Sequence, residues 1–253
     1  FQYFTATKTV DVETGKVVRG ALTDEQGEAL GLQAYQQVLA TERVVESGPE
    51  WEMVRRVAER LVSVLGDAAR GFEWGVSLVD NSQANAFCLP GGKIVIYRGI
   101  LPITRTEPGL AAVMGHEIAH ATLRHGSQRL LKTQLAQTVL QGASVSVSLG
   151  DMSIDQQRAV LGALGMGAQV GLLLPFSREH ESEADERGLL YTARAGYDPR
   201  EAITFWQRME EAGGGQPPEF LSTHPAHGTR IQRLQEFMPK AVAEYEAVSR
   251  QTR

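Results

Sequence analysis

The sequence predicts a mainly α chain of the α+β class, with one small sheet between its N-terminal helices and the rest. Apolar residues recur at helical spacing before residue 70 and again after 107. A β-branched and aromatic run, Lys93-Ile94-Val95-Ile96-Tyr97, follows a Pro90-Gly91-Gly92 turn. Capping residues, glycines and prolines punctuate the stretches between. The 253 residues suffice for one large domain, here residues 23–253, behind an extended segment over 1–22.

In order, residues 1–22 read as extended or irregular with a turn at Glu13-Thr14-Gly15. Thr23, with Gln26 three residues on, caps a helix expected to reach about Glu46. Pro49 suits the first turn of a second helix to about Ala69, whose apolar face is Trp51, Val54, Val57, Leu61 and Leu65. Trp74 to Asp80 reads as one strand, and Ala86–Leu89 and Lys93–Tyr97 as a pair joined at the glycines. After Pro108 a long helix runs to about Leu140, broken by Gly142 to Gly150. A helix over Ile154–Leu174 stops at Pro175, and Ser177 caps another from Arg178 to Ala195, ended by Gly196. Pro199 opens a helix to about Glu211, and glycines 213–215 with Pro217-Pro218 form a loop. The last helices span Pro225–Phe237 and Pro239 onward. Residues 23–70 are thus N-terminal helices, 74–140 the sheet and a long helix, 141–175 an insert and 176–253 the C-terminal helices.

A net charge of −5 without a basic run gives no support to a nucleic-acid partner. Cys88 is the one cysteine, which excludes an internal disulfide and a multi-cysteine zinc site; between Phe87 and Leu89 it reads as a buried apolar residue. Phe1 opens a mixed polar stretch, not a secretory signal, and its place at the start implies a segment upstream. Ala159 to Phe176 comes nearest to a membrane span, but Gln169 and four glycines make it a packed helix.

The chemistry lies in His116-Glu117-Ile118-Ala119-His120. Two imidazoles four residues apart sit about 40° apart on a helix and one turn along it, so both reach one zinc ion. Glu117 leaves the same turn and serves as general base toward a water on the metal. A third ligand is needed. His125 lies about 900° on from His116 in an unbroken helix, facing away, and no glycine lets the chain turn back; it reads as a packing or hydrogen-bonding residue. The cluster Glu179, Glu181, Glu183, Asp185 and Glu186 offers two i,i+4 pairs, Glu179 with Glu183 and Glu181 with Asp185, and spacing alone does not choose. No nucleophile elbow, dinucleotide fingerprint or P-loop occurs.

The HExxH string, followed some sixty residues later by Ser177-Arg178-x-x-Glu181-x-x-Ala184-Asp185, resembles the metallopeptidase family of HtpX, the type I CAAX prenyl proteases, BepA, LoiP and the mitochondrial Oma-type protease. The resemblance runs from about Thr23 to Pro239. It implies a zincin-like domain with its sheet beside the HExxH helix, Glu181 as third zinc ligand and Asp185 supporting a ligand histidine. Asn85-Ala86-Phe87-x-x-Pro90-Gly91-Gly92 resembles the family's substrate-binding edge strand. Leu221-Ser222-Thr223-His224-Pro225-Ala226-His227-Gly228-x-Arg230 is closest to the Oma-type and BepA/LoiP-like branches. His224 is expected at the active site, donating to the oxyanion or blocking the open zinc position; His227 has a weaker claim, and Arg230 is expected to pair with Asp185 or Glu181.

The expected function is zinc-dependent cleavage of internal peptide bonds in misfolded or misassembled envelope proteins. The alternative is a chaperone-like assembly factor with a self-blocked zinc site. The expected compartment is the bacterial periplasm, with lipid anchoring or membrane association upstream of Phe1. Residues 141–175 are expected to form a flap over the cleft, a surface for membrane or partner, or core.

Overall fold

A computed structural model describes residues 6–132, 153–166, 175–212, 218–225 and 228–251. Strands β1 (Thr7–Val10) and β2 (Val17–Gly20) pair as an antiparallel hairpin, so the segment expected as merely extended has a ladder of its own. Asp11 at its turn accepts from the Glu13 and Thr14 N–H groups and pairs with Arg187 at 3.0 Å, which ties the hairpin to the helical body.

Helix α1 (Asp24–Thr41) has the expected capping box between Thr23 and Gln26. It ends before Glu46, because Val44–Val45 (β3) instead pair with Val79 and Leu78 of β4 (Gly75–Val79). Helix α2 (Pro49–Val62) also stops early; Gly66, at φ +54°, opens a 3-10 turn over Gly66–Ala69. Strands β5 (Ala86–Leu89) and β6 (Lys93–Tyr97) flank a turn in which Gly91 and Gly92 take φ of +80° and +85°, as only glycine does cheaply. The sheet order is β3-β4-β6-β5, with β4 and β6 parallel and β5 antiparallel at the edge.

The alternation of this sheet builds two cores. Leu78, Ala86, Cys88, Ile94 and Ile96 join the larger cluster on one face. Val79, Phe87, Leu89, Val95 and Tyr97 join a second with α1 on the other. Val160, Leu161, Leu164 and Met166 belong to that second cluster, so this stretch of the 141–175 insert packs in the core, while Ile154 before it is exposed. It comprises α6 (Ile154–Leu161) and a wide helical turn over Gly162–Met166; the Gly142–Gly150 break and the helix end expected at Leu174 lie outside the described residues.

Beyond the sheet, a short helix α3 (Leu101–Thr104) leads to α4 (Glu107–Thr122), capped by the Thr106 hydroxyl and buried on every side from Gly109 to Thr122. It does not run on unbroken toward Leu140. Arg124 takes φ +58°, held there by a bidentate pair with Asp24 at 2.6 and 2.8 Å, and helical structure resumes over 125–132 (α5). Helix α7 (Arg178–Arg194) has the expected Ser177 cap and Gly196 terminator, at φ +77°. Helices α8 (Glu201–Ala212), α9 (Glu219–Thr223) and α10 (Arg230–Gln251) complete the fold. Pro239 does not divide α10: Leu234, Met238 and Ala241 are buried on either side and hold the helix through a residue without an N–H.

Helices α4 and α7 meet at two glycines. A Cβ on Gly188 would stand 2.8 Å from the His116 nitrogen and 2.9 Å from the Gly115 carbonyl carbon; one on Gly115 would stand 2.9 Å from the Gly188 oxygen. Backbone thus rests on backbone where α4 carries its histidines. Gly188→Ala should cost about 1–3 kcal/mol by forcing the helices apart. Gly27→Ala, whose Cβ meets only Pro90 at an ordinary 3.5 Å, should be neutral or stabilise by up to about 1 kcal/mol. Thermal unfolding of the two variants checks both signs.

Candidate metal centre

Helix α4 turns His116 and His120 to one side, with their Nε2 atoms 3.0 Å apart. Across the glycine contact, α7 presents Glu181 and Asp185, one turn apart on the same face. Glu181 lies 3.4 Å from His120 Nε2 and 3.5 Å from His116 Nε2, while Asp185 Oδ1 lies 3.0 Å from His116 Nδ1. Of the two acidic pairs that spacing left open, this one faces α4; Glu179 is exposed and Glu183 half-buried. His224 follows α9, its backbone N–H bonded to the Phe220 oxygen and its ring stacked on Phe220. Its Nδ1 is 3.1 Å from Glu181 Oε1 and 3.2 Å from His116 Nε2. His116, His120, Glu181 and His224 form one buried group, their donor atoms all within 4.8 Å of one another.

These distances suit a zinc ion. Four donors about 2.0–2.1 Å from zinc in a tetrahedron stand about 3.3–3.4 Å from each other, and with Glu181 Oε1 as the carboxylate donor four of the six separations here span 3.0–3.4 Å. The donor set, imidazole and carboxylate, is that of zinc hydrolases.

Electrostatics point the same way. Burial pushes His120 well below the usual histidine range, so it is neutral, the form that ligates. Burial opposes charge on His116 too, but Asp185 and Glu181 outweigh it and raise it to about 9. A pocket that draws a proton onto His116 favours a cation there. Burial would also push Glu181 up, yet Arg230, His224 and the two histidines hold it well below the carboxylate range. Arg230 spans both acids, at 2.7 Å from Glu181 and 2.6 Å from Asp185, so the expected pairing includes both. Its guanidinium lies 3.4 Å from the centre of the Trp206 ring.

Glu117, on the same turn as His116, is buried; one of its oxygens has no hydrogen-bond partner among the described residues and lies 3.4 Å from His224 Nε2. Burial raises its pKa despite His224 and His116. Ala86 faces the core cluster of α4 and Phe87 the opposite one, so the expected substrate strand presents only alternate side chains toward the site. Asn85 is buried, with its side-chain oxygen accepting from the Ala86 N–H at 2.9 Å. His227 lies outside the described residues.

His125 does not face away. The turn at Arg124 swings it behind His120, where their Nδ1 atoms are 2.9 Å apart. The glycine thought necessary is replaced by the Arg124–Asp24 pair. As expected, His125 is a hydrogen-bonding residue outside the metal group. Phe176, stacked on His120 at 3.9 Å, and Trp206 also shape the site, and no spacing in the sequence links them to it.

Removing Arg230 would leave two buried carboxylates facing each other. Arg230→Ala should destabilise the metal-free chain by about 3–5 kcal/mol, read by urea unfolding in chelator. An unchanged midpoint together with unchanged zinc content would show that the pairing is incidental.

Residues 50–238 match Peptidase family M48. The mitochondrial metalloendopeptidase OMA1 of Schizosaccharomyces pombe is 34% identical over 244 residues, covering 94% of this chain and 68% of its own length. The OMA1 protein of Saccharomyces cerevisiae is 37% identical over 187 residues, 70% of this chain and 50% of that one. The beta-barrel assembly-enhancing protease of Escherichia coli K12 is 31% identical over 183 residues, 71% of this chain and 37% of that one. The chain therefore spans half or less of the latter two.

Proposed function

The chain belongs to Peptidase family M48, and from that premise we propose that it is a zinc-dependent endopeptidase with His116, His120 and Glu181 as ligands and Glu117 as general base. The observation that carries this reading is the buried four-donor group with the Glu117 carboxylate beside it. When bound, zinc supplies Lewis acidity toward a water and the scissile carbonyl. Glu117 takes a proton from the attacking water and delivers it to the leaving amide nitrogen as the C–N bond breaks. Its burial strengthens it as a base for this task. Asp185 fixes the His116 ring through Nδ1, and Arg230 holds both carboxylates in place.

Substrate binding falls to β5. Tyr97 donates to the Asn85 oxygen, so alternation turns the backbone groups of Phe87 toward β6 and those of Ala86 toward the open edge. An extended polypeptide adds there as a further strand, competing with the Asn85 side chain for the Ala86 N–H. The substrates we assign are misfolded or misassembled envelope proteins, in keeping with the likeness to beta-barrel assembly-enhancing proteases of Escherichia coli and Yersinia pestis. The periplasm is the compartment that goes with this reading; the mitochondrial relatives carry the same chemistry in another. No helix among the described residues is long and apolar enough to cross a membrane.

Metal content by mass spectrometry, with casein degradation in parallel, tests the assignment. Wild type and Glu179→Ala should hold about one zinc per chain and Glu181→Ala much less, while Glu117→Gln should keep zinc and lose turnover by at least about 100-fold. Zinc retained after loss of Glu181 would reassign the third ligand.

One observation favours a second, compatible reading. His224 Nδ1, close to both His116 Nε2 and Glu181 Oε1, would fill the fourth donor position that a hydrolytic zinc keeps for water. Such an arrangement would make a resting, self-blocked site, as the assembly-factor alternative requires. His224→Ala should retain zinc on three ligands and raise basal casein turnover several-fold. A fall in turnover with zinc retained would instead give His224 the oxyanion-donor role.

A further inference from the structure

The two histidines of the metal group are supported unequally. His116 Nδ1 meets a carboxylate directly, Asp185 at 3.0 Å. His120 Nδ1 meets His125 Nδ1 at 2.9 Å, and His125 Nε2 meets Glu183 Oε2 at 3.2 Å. The other Glu183 oxygen is bound by Lys16 from the N-terminal hairpin. His125 is fully buried and stacked on His180 at 4.4 Å, so its ring is fixed in orientation.

The proton positions along this chain are determined by its end. His120 Nε2 faces His116 and Glu181, where its lone pair serves a cation, so the proton sits on Nδ1. That N–H can donate only if His125 Nδ1 is an acceptor. His125 must then carry its own proton on Nε2, which is the atom aimed at the Glu183 carboxylate. Every link has one donor and one acceptor.

We propose that His125 and Glu183 form a positioning relay for His120: the Glu183 carboxylate, acting through the His125 ring, orients His120 and strengthens it as a metal ligand, as Asp185 does directly for His116. The relay rests on the reading of His120 as a zinc ligand. Lys16 anchors its outer end, so the hairpin outside the matched 50–238 stretch contributes to the centre. A ligating histidine whose partner carboxylate is lost characteristically loses about 10–100-fold in metal affinity.

The test uses the full chain and two readouts, the rate of zinc transfer to a chromophoric chelator and the visible absorption bands of the cobalt(II)-substituted protein. Glu183 is half-exposed, so Glu183→Ala should fold. It should release zinc about 10–100-fold faster and shift the cobalt bands. His125→Leu should match it, and His125→Gln, whose amide can accept from His120 and donate to Glu183, should recover most of the loss. The double variant His125→Leu/Glu183→Ala should be no worse than His125→Leu alone, since both cut one chain. Zinc release and cobalt bands in Glu183→Ala within two-fold of wild type, or additive losses in the double variant, overturn the relay and leave the zinc assignment standing. A wild-type chain that takes up no zinc overturns the underlying reading and the relay with it.

Discussion

The centre depends on the contact between α4 and α7 at Gly115 and Gly188. Neither position has room for a Cβ: one on Gly188 would meet backbone at 2.8–2.9 Å, and one on Gly115 the Gly188 oxygen and the Thr192 hydroxyl, each at 2.9 Å. A carboxylate side chain is short, and Glu181 and Asp185 reach the histidines only because the helices touch without side chains between them. Interiors pack densely, so the same approach fixes the axes as well as the gap. The sheet then closes one side of α4, while α8 and α10 place Trp206 and Arg230 over the carboxylates from the other.

That proximity creates an electrostatic problem which the surrounding residues answer in layers. Glu117, Glu181 and Asp185 are all buried beside one another. Arg230 neutralises part of this charge, and its own burial is tolerated because two carboxylates and an aromatic face receive it. In the absence of an ion, His116 takes up a proton in response to the same two acids. A divalent cation and that proton therefore compete for one place, a pocket built around positive charge whichever form supplies it.

Much of this was legible in the chain. The HExxH helix, the Thr23 and Ser177 caps and the Pro90-Gly91-Gly92 turn are local patterns, and local patterns survive folding. What sequence missed depended on partners far away. Val44–Val45 left the helix because Leu78 and Val79 offered a ladder. Arg124 adopted a left-handed conformation because Asp24, a hundred residues earlier, grips its guanidinium. The choice of Glu181 over Glu179 is a matter of which face of α7 meets α4, something spacing within α7 does not encode. Pro239 marks a break by sequence rules, but packing on both sides carries the helix through it.

The four donors are spread from His116 to His224, across helices that meet only in the finished fold. An extended chain offers no comparable group, so an ion held here binds the native state alone and deepens its energy well by mass action. The centre then works as a clasp closed late: α4 and α7 must both be in place before it can fasten. Conditions that strip the ion would loosen two distant stretches of the chain at once, which would tie the persistence of such a protease to the metal supply around it.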